Sequence, residues 1–189
     1  MDSQKDVLVD YLQKAREAVL WKLDGLGEYD VRRPLTPTGT NLLGLVKHLA
    51  SVELGYFVSC FGRELPVELP WEEQDVNADM WATAEESRED VVGLYHLAWR
   101  EAGHTFADCD LDDVGRVPWW NPERNRVTLG RLLVHVATET NRHLGQMDIL
   151  REGLDGAVGL RVDVSNLPDD GYDWDAHVAR VEEAAQRFR

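Results

Sequence analysis

The chain has 189 residues, and its 35 acidic side chains against 20 lysines and arginines give a formal net charge of -15. With no concentrated basic patch anywhere along it, that balance excludes nucleic acid and an anionic membrane surface as expected partners. The length suits one domain with a sizeable core and a short appendage.

Two cysteines, Cys60 and Cys109, are too few for a disulfide framework, and neither is assigned a catalytic role. The N-terminal Met1-Asp2-Ser3-Gln4-Lys5-Asp6 is polar, with no apolar signal core behind it. No apolar run is read as long enough to span a bilayer, so a cytoplasmic protein is expected.

In chain order, Val7, Leu8, Tyr11, Leu12, Ala15 and Val19 recur at helical spacing and predict an amphipathic helix over residues 4–25, ending at Gly25 and Gly27. Residues 31–39, with two prolines and a glycine, read as a loop. Leu42, Leu45, Val46, Leu49, Val52, Tyr56, Phe57 and Cys60 mark a second helix over residues 41–61, with His48 beside its stripe. Residues 62–82, containing Pro66, Pro70, Trp71 and Trp81, show no sustained period and predict a long crossover.

Thr83-Ala-Glu-Glu86 resembles a capping box and introduces a third helix whose stripe runs through Val91, Val92, Tyr95, Ala98, Trp99, Ala102 and Phe106 to an end near Ala107. Beyond Pro118-Trp-Trp-Asn-Pro122, Thr128 is placed to cap a fourth helix built on Leu129, Leu132, Leu133, Val136, Leu144 and Met147 and reaching Glu152. Past Gly159, a linker containing Pro168, Asp169, Asp170 and Gly171 leads to a short helix over residues 174–188.

No strand-like alternation stands out. The predicted fold class is therefore all-α: a four-helix bundle with a long crossover between helices two and three and an extra C-terminal helix. Residues 1–159 are expected to form the bundle domain, and residues 160–189 a linker and short helix that packs on the bundle or on a partner.

The chemistry concentrates on His48, Glu139 and His143. Glu139-Thr-Asn-Arg-His143 places a carboxylate and an imidazole one helical turn apart, so both share a face, and His48 from a facing helix would close a three-point clamp around a metal. The competing reading is a solvated i, i+4 pair, and spacing alone leaves the two level. At about 100° per residue, Glu139 falls about 80° and His143 about 40° from the centre of the fourth stripe, whereas His135 lies about 120° away, at a boundary.

Glu53 falls on the apolar stripe of helix two, where a salt bridge or a kink that exposes it is preferred to a catalytic role. Gln146 reads as a helix-surface amide, or as a hydrogen-bond partner for a metal-bound group. Trp119 and Trp120 either cover a site or pin their loop to the core. His96, His104 and His177 lack paired ligand spacing and read as structural or surface residues.

The segment Leu42-Leu-Gly-Leu-Val-Lys-His48-Leu-Ala-Ser-Val-Glu53, taken with His135-Val-Ala-Thr-Glu139-Thr-Asn-Arg-His143-Leu-Gly-Gln-Met-Asp-Ile-Leu-Arg-Glu152, closely resembles the DinB-like family of metal-binding four-helix proteins. The resemblance spans most of residues 4–155 and leaves the C-terminal tail uncovered. Many members resemble a three-histidine pattern ending in His-x-x-x-His, whereas this chain has Glu139 at the first of those two positions.

That departure is similar to the subset including mycothiol-dependent maleylpyruvate isomerase. The resemblance implies His48, Glu139 and His143 as ligands to a divalent metal, zinc first and nickel second, with a low-molecular-weight thiol as cosubstrate. Two neutral imidazoles and one carboxylate around such an ion leave a net charge of +1, which favours thiolate or hydroxide over the protonated form.

The expected activity is thiol-dependent transfer or isomerisation, or hydrolysis, of a small molecule. The competing class is a non-catalytic metal-binding or stress-response bundle acting through a protein partner. A homodimer is the assembly that exposed helix faces of such bundles commonly give.

Overall fold

The computed structural model describes residues 2–69, 75–162, 164–165, 167–168 and 171–189. Pro70 and Trp71 of the predicted crossover, and Asp169 and Asp170 of the predicted linker, lie outside the described residues. The chain divides into two compact units, Met1–Val158 and Gly159–Arg189.

In the first unit, helix α1 (Gln4–Trp21) is opened by a reciprocal cap: the Ser3 hydroxyl accepts the Asp6 N–H at 3.1 Å, and the Asp6 carboxylate accepts the Ser3 N–H at 3.0 Å. It buries Leu12, Ala15, Ala18 and Val19 and ends before Gly25, which takes a left-handed φ of 77° in the turn that follows. The short helix α2 (Glu28–Arg32) then takes in the first two residues of the predicted loop and buries Val31.

Helix α3 (Leu42–Glu53) is capped by Asn41, whose side-chain oxygen accepts the Gly44 N–H at 2.7 Å. It continues through a π-turn (Leu54–Val58) and a 3-10 turn (Ser59–Phe61), and Gly62 in left-handed conformation ends it. Contrary to the sequence expectation, Leu42–Phe61 is long and apolar enough, by length and composition, to cross a membrane. Its residues are nevertheless mostly buried inside the protein, as those of a core helix are.

The described part of the crossover returns across α3. A 3-10 turn (Ala78–Met80) is fixed there by the Asn41 amide, which donates to the Met80 carbonyl at 3.3 Å, and by Lys47, which donates to the Trp81 carbonyl at 3.1 Å and pairs with Glu86 at 2.8 Å. The approach depends on Gly44, because a Cβ there would overlap the Met80 carbonyl oxygen. Gly44→Ala is expected to displace the crossover and cost about 1–3 kcal/mol, as overpacked sites do. Chemical denaturation at matched m-values checks this.

Helix α4 (Arg88–Asp108) begins later than expected. The Thr83 N–H does donate to the Glu86 carboxylate, at 2.7 Å, but the box that starts the helix is Ser87 with Asp90. Between α4 and the next helix lies an antiparallel hairpin, β1 (Val114–Arg116) with β2 (Arg126–Thr128), paired at Gly115↔Val127. The sequence reading contains no strand, since three residues are too few to display a period of two.

Thr128 caps helix α5 (Leu129–Asp155) by accepting the Arg131 N–H at 3.3 Å, and Gly156 ends it at a φ of 78°. Helix α3 packs against α4 and α5, and α1 against α5. Leu12, Phe57, Phe106, Leu132, Leu133 and Val136 belong to the shared core. The protein is mostly helical, with one small sheet among the described residues, an all-α fold.

The second unit carries helix α6 (Trp174–Gln186), capped by Asp173 through the Ala176 N–H at 2.9 Å, and none of its residues is buried. Tyr172, Trp174 and His177 stack together at its start.

Candidate metal centre

His48 rises from the middle of α3, and Glu139 and His143 project from one turn of α5, which packs against it. The tertiary structure brings all three together: one donor atom from each lies within 4.8 Å of the others. The Glu139 Oε1 stands 3.0 Å from His143 Nε2 and 3.9 Å from His48 Nε2, and the two rings meet edge to face with centroids 4.9 Å apart. Ligands on a tetrahedral zinc with bonds of about 2.1 Å stand about 3.4 Å apart, so shifts on the order of 1 Å bring the trio to that geometry. Among the described residues this is the one converging group of metal-ligating side chains.

The outer nitrogens are engaged as well. His48 Nδ1 lies 2.7 Å from the buried Asp79 carboxylate, and His143 Nδ1 lies 2.8 Å from the Gln146 side-chain oxygen. Both partners are acceptors, so each imidazole donates through Nδ1 and turns the lone pair of Nε2 toward Glu139. Two nitrogen lone pairs and a carboxylate oxygen facing one another repel unless a cation or a proton sits among them. The donor set thus fits a divalent ion, with each imidazole oriented from behind as metal-bound histidines usually are.

Asp79 carries no signal in the sequence. It lies in the aperiodic crossover, among several acids, and only the passage of that segment over Gly44 delivers it to His48. Asp79→Ala is expected to weaken metal binding about 10–100-fold while leaving helix content intact. A competition titration against a chelator, alongside circular dichroism, reads both.

Gln146 is an exposed helix-surface amide, the first of its two sequence readings, and its side-chain oxygen faces His143 itself. His135 places Nε2 at 3.2 Å from the Tyr56 hydroxyl. The indoles of Trp119 and Trp120 donate to that same hydroxyl at 3.3 and 3.1 Å, so they pin their loop to α3's continuation, and Trp119 also lines the cavity described next.

Tyr56 reads in the sequence as one more member of an apolar stripe. The π-turn that contains it, a feature frequent at functional sites, accompanies its placement at the cavity. That cavity has a volume of about 530 Å³, and His48, Asp79, Glu139, Tyr56, Trp119 and His135 are among its lining residues.

The remaining candidates lie elsewhere. Glu53 is fully buried and forms a two-point ion pair with Arg16 of α1. Burial pushes its carboxyl above the ordinary range, and the Arg16 guanidinium opposes that shift. His96 stacks on Trp99, His104 pairs with Glu101 at the surface, and His177 belongs to the second unit. Burial pushes the Cys60 thiol up to about 12 and raises that of Cys109, so neither is poised as a nucleophile.

Compared with known proteins, the chain matches the mycothiol-S-transferase family over residues 7–156, a span containing the whole converging trio, Asp79 and the Tyr56 cluster. No curated protein matches it. With most of its length matched, the chain belongs to the mycothiol-S-transferase family, within the DinB-like superfamily.

Proposed function

We propose that this protein transfers a low-molecular-weight thiol, mycothiol or a close analogue, to a small electrophile, using His48, Glu139 and His143 to hold a divalent ion. The observation that carries the reading is the convergence of those three donors, two of which, His48 and Glu139, line a cavity large enough for a small substrate. Family membership favours transfer over the isomerisation and hydrolysis expected beside it. Zinc suits two imidazole nitrogens and one carboxylate oxygen, and nickel is the second choice.

A divalent ion held there, at net charge +1, would supply the bias toward thiolate over thiol at neutral pH. The chain's own residues do the rest. Asp79 and Gln146 fix the two imidazoles, Glu139 supplies the anionic donor, and Val52 and Trp119 give the cavity apolar surface that limits water near the reacting sulfur. Three donors beside an open cavity favour a reactive site over a structural one, because structural zinc sites are normally closed by four protein ligands.

The same reading extends to the architecture. Helices α1, α3, α4 and α5 make up a four-helix bundle of the DinB-like type, residues 1–159 form the metal-binding domain, and residues 160–189 are a C-terminal linker and short helix.

The test is to purify the chain, measure its metal by elemental analysis, and follow loss of free thiol against a panel of electrophiles with and without mycothiol. Near-stoichiometric metal and mycothiol-dependent turnover are expected. Metal-replete protein with no thiol-dependent turnover across a broad panel would sink the assignment.

A further inference from the structure

Tyr56 is held in an arrangement that ordinary packing does not require. Its hydroxyl oxygen lies 3.3 Å from Trp119 Nε1, 3.1 Å from Trp120 Nε1 and 3.2 Å from His135 Nε2, and Tyr56 lines the same cavity as His48 and Glu139. Indole nitrogens only donate, so the two tryptophans occupy both lone pairs of the oxygen. The Tyr56 proton must therefore be given away, either to His135 or to an acceptor in the cavity. Two fixed N–H dipoles aimed at one oxygen are also what stabilises that oxygen once its proton has left.

We propose that Tyr56 is a catalytic acid that protonates a substrate oxygen, and that the electrophiles of this protein include those whose oxygen gains charge when sulfur attacks, epoxides foremost. The inference rests on the thiol-transfer reading above. The thiol releases its proton to solvent, and its sulfur forms a bond to an epoxide carbon. The carbon–oxygen bond breaks with its electron pair on oxygen, and that oxygen takes the Tyr56 proton. The phenolate left behind is held by the Trp119 and Trp120 N–H groups and recovers a proton from His135, which is replenished from solvent. The sum is thiol plus epoxide giving a β-hydroxy thioether, with nothing oxidised or reduced. The apolar surface of Val52 and Trp119 in the same cavity suits an aryl substituent on the epoxide.

The metal-loaded full chain and its Tyr56→Phe variant are compared, with mycothiol, on an aryl epoxide and on a benzylic halide, whose leaving chloride needs no proton. Tyr56→Phe should lose about 100-fold or more in kcat on the epoxide and change by less than about threefold on the halide. Elemental analysis should find equal metal in both proteins.

A second measurement needs no turnover. The change in tryptophan fluorescence on titration, to which the two indoles beside Tyr56 contribute, gives the affinity for the β-hydroxy mycothiol conjugate and for its deoxy counterpart. The wild type should prefer the hydroxy conjugate about tenfold, the worth of one buried hydrogen bond, and Tyr56→Phe should abolish the preference.

Equal losses on both substrates, or a hydroxyl preference that survives in Tyr56→Phe, would overturn the role of Tyr56 while leaving thiol transfer in place. A wild type inert on both substrates that still shows the Tyr56-dependent preference would reject thiol transfer and keep the assignment of Tyr56 as the group facing a substrate oxygen.

Discussion

Removing the imidazole of His143 is expected to empty the metal centre. His143→Ala deletes one of three converging donors and, with it, the purpose of the Gln146 hydrogen bond behind it. Losing a supporting residue around a metal typically costs 10–100-fold in affinity, so losing a ligand should cost more than about 100-fold, and purified His143→Ala should carry no stoichiometric metal. Mycothiol-dependent turnover should vanish with it. His104→Ala is the matched control, because His104 pairs with Glu101 at the surface and should leave metal content unchanged. Elemental analysis of the two variants, with circular dichroism to confirm that both are folded, decides the matter. Full occupancy in His143→Ala would remove His143 from the site.

The largest effect on stability is expected from Arg16→Ala. Arg16 and Glu53 are both almost wholly buried, and their two-point pair ties α1 to the end of α3, one turn beyond His48. Taking away the guanidinium leaves a carboxyl without its counter-charge in the core, a change that typically costs about 3–5 kcal/mol. For a chain of this size, with about 2–4 °C lost per kcal/mol, the melting midpoint should fall by roughly 10 °C.

The pH dependence has a definite sign. Burial already pushes Glu53 above its ordinary 4.5, and without Arg16 nothing comparable opposes that shift. A carboxyl whose pKa is raised by folding gives its full contribution below its unfolded value and loses it as pH climbs through the folded one. The deficit of Arg16→Ala relative to the wild type should therefore be smaller near pH 5 than near pH 8. The double variant Arg16→Met, Glu53→Leu should recover most of the loss, since an apolar pair of similar volume avoids the desolvation that the ion pair suffers. Thermal melts across that pH range measure all three proteins.

The sequence by itself carried the helices and the candidate trio whose convergence the fold provides. Stripes such as Leu42, Leu45, Val46 and Leu49, or Leu129, Leu132, Leu133 and Val136, are local consequences of a 3.6-residue period, and Thr128 caps its helix through the N–H three residues on. Glu139 and His143 are legible for the same reason, since one turn of helix fixes their common face before any tertiary contact forms. Boundaries were less secure. The capping pattern at Thr83 and Glu86 forms half of its hydrogen bonds without starting a helix, because Ser87 with Asp90 offers a complete box a few residues later.

What only the tertiary structure decided is everything that depends on chains far apart in sequence passing close in space. Asp79 reaches His48 because the crossover lies over Gly44, where no side chain stands in the way. Tyr56 joins His135, Trp119 and Trp120 across separations of more than sixty residues, and no periodicity encodes such a meeting. The burial of Leu42–Phe61 belongs here too, because composition gives a helix's apolarity but only its neighbours determine whether protein or lipid surrounds it. Local periodicity specifies which face of a helix is apolar, whereas packing selects what that face, and the polar residues at its edge, will meet.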